Sequence, residues 1–540
     1  MTTPRKTAQT AIGLFTLISL CFLGQDLLGS NEAGKLALAL QEVDPNWNPH
    51  DWYLNTPQSY QWLFQQISGH LLQSFGIPLG TLLCRLVGYA VWAWAAATLC
   101  TALGLSTVMS LGAVGLFLSQ QSLIAGEWMI GSAEPKTFAY ATLLLAFVAW
   151  QRERWWRWGF WAGLASSFHI LVGGYGTAAL VLTGLLCRQP QRRNAWGRAL
   201  TGLLLGASPI LLALRGARPD QLQSSYTPQA IPSASWIYTY LRNPHHLVPS
   251  SWSSSAWLYA LAVLTVFGVV LIWTLRDQSE PAPQRRAFGL WSACTLIPFA
   301  IGLVLSLWDT QGAWLRFYPF RVADSLIPLS TALLLACQLE TLKPRLSRAG
   351  ALLLASLIAV QLHSSWAHWP GLLSLPTPAD QARLQTYDWL SRHTPPDALI
   401  ATPPAGFEDM SLLTGRAGIA QFKQIPNRST DLQEWFRRMQ KLSGEADFWR
   451  HANGFKARRR LDQGFSRLSG EELEQIANTY GADILITSST QASPTGWTRA
   501  FSNTEWIIWQ PPKQSANQRR IHSDLGISAQ NAANPRPINS

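Results

Sequence analysis

The feature that most constrains this chain is a succession of long apolar runs that fills residues 10–365 and then stops. A helix needs roughly 20 apolar residues to cross a bilayer, because lipid offers the backbone no hydrogen-bond partner. Runs of this kind at 10–28, 79–103, 106–125, 137–150, 158–170, 172–187, 197–215, 256–275, 287–308, 322–340 and 348–365 predict about eleven transmembrane helices. Residues 366–511 read instead as water-soluble chain, and 512–540, rich in Asn, Ser, Gln and Pro, read as a disordered tail. The expected architecture is an α-helical polytopic membrane domain over 1–365, with a first outer loop at 29–78, followed by a C-terminal α/β domain. The 27 tryptophans fit a membrane chain, since an indole can sit in the apolar layer while its N–H stays wet.

Lys and Arg set the expected orientation. One side holds Arg5 and Lys6, then Arg152, Arg154 and Arg157, then Arg188, Arg192, Arg193 and Arg198. It also holds Arg276, Arg285, Arg286, Lys343, Arg345 and Arg348, whereas the loop 29–78 carries only Lys35. The N-terminus is therefore expected in the cytoplasm and the C-terminal domain outside. The first span, with no A-x-A site after it, reads as an uncleaved anchor. Basic clusters at both ends of 158–187 require an even number of crossings there, which two short helices hinged near Gly173-Gly174 satisfy. The net charge of +12 sorts by membrane side, so it does not point to nucleic acid. The six cysteines all fall in predicted spans, with no CxxC or disulfide framework, and read as small apolar fillers.

The soluble end alternates helix and strand. Thr377-Pro378 opens a helix that stops at Thr394-Pro395-Pro396, and Ala398–Thr402 follows as a strand. Ser469-Gly470-Glu471-Glu472 is a capping box for a helix that ends at Tyr480-Gly481. Strands are expected at Ala482–Thr487 and Trp506–Gln510, and a basic-faced helix at Asp431–Leu442. The run Lys456-Ala457-Arg458-Arg459-Arg460 reads as a solvated basic face or as a contact for anionic lipid or phosphate. Asn427-Arg428-Ser429 fits the glycosylation sequon.

Charge beside a membrane is costly, so its placement is informative. The first outer loop carries Asp44 and Asp51 among Pro and aromatic residues, and a carboxylate held near apolar surface can serve as a general base. The bland alternative is that both make turns in an interfacial loop. Glu134 and Lys136 border the fourth apolar run and either serve a site or pair with each other. His169, in Ser166-Ser167-Phe168-His169, sits at the apparent hinge of the 158–187 stretch, where a lone His can simply bond a neighbouring helix. His245 and His246 are adjacent in an outer loop, too few ligands for a zinc site. Arg316 and Arg321 are outer-side arginines against the charge trend. A guanidinium suits phosphate because its planar fork donates parallel hydrogen bonds, although Arg321 could instead pair with Asp324 one turn away.

This arrangement resembles the GT-C glycosyltransferases, membrane enzymes that use polyprenyl-phosphate sugars. The resemblance rests on Asp44 and Asp51 in the first loop, Glu134 in the next outer turn, the outer arginines Arg316 and Arg321, and an external C-terminal α/β domain. Adjacent acidic residues, usual in the first loop of better-known members, are missing here. The resemblance implies sugar transfer from a polyprenyl-phosphate donor to a glycan, lipid or protein acceptor on the outer face of a bacterial inner membrane. Asp44, Asp51 and Glu134 would be catalytic; Lys136, His169, Arg316, Arg321 and His245 would bind substrate. No cofactor is implied with certainty, and a divalent metal is compatible with the pattern. A multi-pass transporter built around 158–187 and a non-catalytic envelope scaffold are the competing expectations.

Overall fold

A computed structural model of the chain describes residues 3–23, 30–56, 59–187, 193–215, 231–278, 281–342 and 378–512. The chain divides into two compact units. One takes Met1–Glu32, Gln58–Pro219 and Tyr238–Ser374; the other takes Ala33–Pro57, Asp220–Ile237 and Leu375–Ser540.

The first unit is helical. Five of its described helices are long and apolar enough to cross a membrane: Ile77–Ala102, Ala195–Arg215, Ser254–Arg276, Ala282–Leu305 and Arg321–Thr341. Thr107–Ser119 and Ile170–Leu186 are apolar but shorter. Leu212, Leu258, Leu261 and Val269 stand 60% exposed or more, side chains that lipid would cover. Ten of the eleven expected segments fall on helices; the last, 348–365, lies outside the described residues, as does the expected tail beyond Pro512. Local chemistry sets the boundaries. Ser106 and Ser253 cap their helices by accepting the amides of Met109 and Ala256. Gly76, at φ 75°, turns the corner between Trp62–Phe75 and Ile77–Ala102, a conformation costly for other residues.

The doubtful stretch does form two helices, Trp155–Phe168 and Ile170–Leu186. Of the two positions expected at the hinge, Gly173-Gly174 and His169, the break falls at His169, whose backbone is extended (φ −154°, ψ 103°). Gly173 lies within the second helix, where a Cβ would strike the backbone nitrogen of Ser166. That glycine marks a close contact and not a turn. At 1.5 Å per residue the two helices are ~21 and ~25 Å long, short of a ~30 Å hydrocarbon core.

A second close approach joins Trp155–Phe168 to Arg193–Arg215. A Cβ on Gly159 or Gly163 would strike the carbonyl oxygens of Ala199 or Leu203, and one on Gly202 or Gly206 those of Trp156 or Phe160. Two Gly-xxx-Gly stripes thus let backbone meet backbone, a common way to pack helices where lipid supplies no hydrophobic drive. A buried ion pair adds a polar tie. Arg85 donates Nε to Glu32 Oε1 at 2.8 Å and Nη2 to Oε2 at 2.6 Å, and the Ala133 amide donates to Glu32 at 2.7 Å. Both side chains are 2% exposed or less.

The second unit holds a five-stranded sheet in the order β2-β1-β3-β5-β4. The strands are β1 Leu399–Ala401, β2 Ala417–Gly418, β3 Ile484–Ser488, β4 Thr498–Ser502 and β5 Trp506–Gln510. β1 pairs in parallel with β2 and β3, while β5 runs antiparallel to β3 and β4. Tyr387 and Leu390 of helix Pro378–His393 pack with Ile400, Ile484, Ile486 and Ile508 to form its core. The capping box at Ser469 and Glu472 is present, and Gly481 ends that helix at φ 70°. The basic run 456–460 lies on the helix Gly454–Phe465, where Arg458 pairs with Glu408 and Arg460 with Glu445.

Candidate functional site

In the first unit the site begins with a loop that cannot hold itself. Residues between Thr107–Ser119 and Pro135–Gln151 form no regular element, so their amides need other acceptors. Asp324, fully buried in the first turn of Arg321–Thr341, supplies them. Its Oδ1 accepts the amides of Ile124 and Ala125, both at 2.7 Å. Its Oδ2 accepts the Ser122 hydroxyl at 2.7 Å and the Glu127 amide at 2.9 Å. The expected alternative, an Arg321–Asp324 pair, is not what forms. Asp324 is spent on the loop, and Arg321 turns to Glu127.

Glu127 is the hub. Arg321 Nε and Nη2 each meet its Oε1 at 2.9 Å, and Lys136 Nζ lies 3.7 Å from its Oε2. The remaining nitrogen, Arg321 Nη1, donates to His169 Nε2 at 3.0 Å, so that imidazole is neutral with its proton on Nδ1. The Tyr318 ring lies 3.7 Å from the guanidinium, and Tyr140 donates its hydroxyl to the Arg321 carbonyl at 3.1 Å. Lys136 also meets Glu134 Oε2 at 3.3 Å and rests 3.3 Å from the centre of the Trp128 ring. Glu134 in turn accepts the Ser132 hydroxyl at 3.1 Å.

The electrostatics follow from burial and these neighbours. Burial pushes the Glu127 carboxyl up, but Arg321 and Lys136 outweigh it and hold the group below the ordinary carboxylate range. Burial lowers His246 and prevails over the pull of Glu127. Its Nδ1 lies 2.6 Å from the Ala125 carbonyl and carries the proton. The 3.9 Å approach of His246 to Glu127 is thus a neutral dipole contact and not an ion pair.

Four sequence-predicted residues therefore come together here: Glu134, Lys136, His169 and Arg321. His245 stacks on His246 with ring centroids 4.0 Å apart, and its carbonyl accepts the Trp252 indole at 2.9 Å. Arg316 lies in the same unit with its guanidinium 5.9 Å from the Phe317 ring centre. Asp44 and Asp51 belong to the second unit. Asp44 is half-buried and accepts the Asn46 amide at 3.1 Å. Asp51 is buried, with Oδ1 accepting the Leu54 amide at 3.0 Å. Its Oδ2 accepts the Ser411 hydroxyl at 2.8 Å and the Gly418 amide at 3.2 Å. Burial raises its carboxyl above the ordinary range despite those bonds. Beside it, Arg438 stacks on Trp52 at 4.4 Å.

Sequence reasoning did not single out Glu127, His246 or Asp324 for the site, although Glu127 lies in the same outer turn as Glu134. Among the described residues no three His, Cys, Asp or Glu side chains gather as a metal site. Chemically, the cluster offers two largely buried cations and a neutral imidazole at one end of an apolar helix bundle. That set can hold a phosphate and stabilise charge as it develops there.

A family model described as a domain of unknown function (DUF6798) matches residues 381–442, in the second unit. No curated protein matches the sequence. Among solved structures, ArnT from Cupriavidus metallidurans bound to undecaprenyl phosphate is similar at a TM-score of 0.48 and 10% identity, covering 94% of this chain and 98% of that one. The archaeal oligosaccharyltransferase AglB from Archaeoglobus fulgidus, in complex with an inhibitory peptide and a dolichol-phosphate, is similar at a TM-score of 0.49 and 11% identity. That likeness covers 95% of this chain and 74% of AglB. At 10–11% identity and TM-scores below 0.5, these likenesses assign no residue, substrate or activity to this chain.

Proposed function

We propose that this chain is a GT-C-type membrane glycosyltransferase that moves a sugar from a polyprenyl-phosphate donor to a glycan, lipid or protein acceptor. The observation that carries this reading is the joining of Arg321 and Lys136, 13% and 9% exposed, at one carboxylate in an apolar helix bundle. A lipid phosphate needs that combination: cations for its head and apolar surface for its tail. When the acceptor oxygen attacks the anomeric carbon, the bond to phosphate oxygen breaks and the phosphate leaves with extra negative charge. Arg321 and Lys136 stabilise that charge, with Arg321 turned by His169 and Tyr318. Glu134 positions Lys136.

The resemblance gives the proton-accepting role to the first-loop carboxylates. Asp44 is the better candidate, because both Asp51 oxygens are occupied by Leu54, Ser411 and Gly418. Asp51 then acts by holding the loop. In this reading the membrane is a bacterial inner membrane, the N-terminus is cytoplasmic and the C-terminal domain is external. Reconstituted protein offered polyprenyl-phosphate sugars and an acceptor extract should transfer sugar, and Asp44→Asn should stop transfer without lowering the thermal midpoint. Asp51→Asn should lower both together. Full transfer by Asp44→Asn would remove it as the base. The helix break at His169 also favours a second reading, a transporter with its site at discontinuous helices. Solute counterflow in vesicles, with no sugar transfer, would establish that reading instead.

A further inference from the structure

We propose that Glu127 is an internal competitor for the phosphate that Arg321 and Lys136 bind, filling their donors when the site is empty and returning to them to expel the lipid phosphate after transfer. The inference rests on the functional reading above, in which the ligand is a phosphate monoester carried on a lipid.

The geometry leaves the two cations committed. Arg321 spends Nε and Nη2 on Glu127 Oε1, both at 2.9 Å, and Nη1 on His169 at 3.0 Å. Lys136 is shared between Glu127 at 3.7 Å and Glu134 at 3.3 Å. A phosphate seated on these donors would place its charge beside a carboxylate that is 2% exposed, where water screens little. A second anion beside Glu127 is repelled by it and draws on the same two cations, so phosphate entry and the Glu127 contacts weaken each other.

Two features suit Glu127 to such an exchange. Its main chain is fixed, because Asp324 takes its amide at 2.9 Å, so a displaced side chain stays within reach of the cations. Its Lys136 contact, at 3.7 Å, is longer than a direct hydrogen bond, so one side of the hub opens at low cost. A permanent counter-ion would also explain the pairs at rest. It predicts the opposite response to removal of the charge, namely damage to binding instead of a gain.

The test uses the full chain in lipid nanodiscs, titrated separately with undecaprenyl phosphate and with inorganic phosphate. Glu127→Gln keeps the shape and removes the charge. It should bind undecaprenyl phosphate at least ~10-fold more tightly than the native chain, ~1.4 kcal/mol, and release it more slowly. Glu127→Asp, which retracts the charge, should bind several-fold more tightly, and Arg321→Met should lose binding. Inorganic phosphate should bind far more weakly in every case; equal binding would make free phosphate the ligand and overturn the proposal. Equal or weaker undecaprenyl phosphate binding by a folded Glu127→Gln would overturn the competition and leave the functional reading intact. If Glu127→Gln does not fold, the same result for Glu127→Asp decides in the same way. Failure of the native chain to bind undecaprenyl phosphate would sink the functional reading itself, and the competition with it.

Discussion

Replacing Asp324 by Asn strikes the loop that carries Glu127, and its cost can be worked bond by bond. The carboxylate receives four donors: Ile124 and Ala125 amides on Oδ1, and the Ser122 hydroxyl and Glu127 amide on Oδ2. Asn offers one oxygen and presents an NH₂ where the other stood. If the oxygen keeps Ile124 and Ala125, Ser122 can rotate to accept from the NH₂, but the Glu127 amide faces a donor. One buried unsatisfied N–H costs ~1–3 kcal/mol, and two bonds to a charged acceptor each weaken by ~1 kcal/mol when it becomes neutral. The sum is ~3–5 kcal/mol. The loss should appear as a lower thermal midpoint in detergent. Weaker binding of undecaprenyl phosphate should accompany it, because Lys136, at the start of Pro135–Gln151, loses its register with Arg321. An Asp324→Asn protein with native midpoint and native affinity would refute the idea that this carboxylate builds the site.

Gly163→Ala puts a methyl group against the Leu203 backbone and should destabilise by ~1–3 kcal/mol or more, whereas Gly174→Ala meets nothing within 4 Å and should not. Equal thermal midpoints for the pair would count against the close crossing. Arg85→Met takes the cation away from the buried Glu32 carboxylate at ~3–5 kcal/mol, and adding Glu32→Gln should recover part of the loss; a fully additive double variant would contradict the buried pair. In the second unit, burial raises the Asp462 carboxyl to about 7, well above the ordinary carboxylate range. The unfolded chain releases this proton near its ordinary value and the folded chain keeps it, so stability falls as pH rises from about 4 to about 7 and then levels. Asp462→Asn can still accept the Ala405 amide, so its stability relative to the native chain should rise over that window. An unchanged pH slope of the thermal midpoint would show that another group titrates there.

The helices were legible in the sequence because lipid imposes one requirement on every span, a long apolar run. The capping box at Ser469 and strand Trp506–Gln510 were legible because their signals are local. What escaped was decided at long range. Glu127 and Arg321 are 194 positions apart, and the Glu127 amide meets Asp324 across 197. Helical spacing alone suggested an Arg321–Asp324 pair; each residue had a better partner some two hundred positions away, in the loop 122–127. Asp51 presents the same difficulty, because Ser411 and Gly418 follow it by 360 and 367 positions. Two signals were present and unread. Arg85 is a charge in the middle of an apolar run, and Gly159, Gly163, Gly202 and Gly206 spell two Gly-xxx-Gly stripes. Glycines at 173 and 174 suggested a hinge because a turn and a tight contact select the same residue.

The central claim, that Arg321 stabilises a departing lipid phosphate, is tested most directly by single-turnover consumption of a polyprenyl-phosphate sugar in proteoliposomes. The native chain should consume the donor when acceptor is present, and Arg321→Met should slow that step by ~10²–10³-fold while staying folded. Donor consumption at the native rate by Arg321→Met, or none by a folded native chain with every polyprenyl-phosphate sugar and acceptor supplied, would contradict the account.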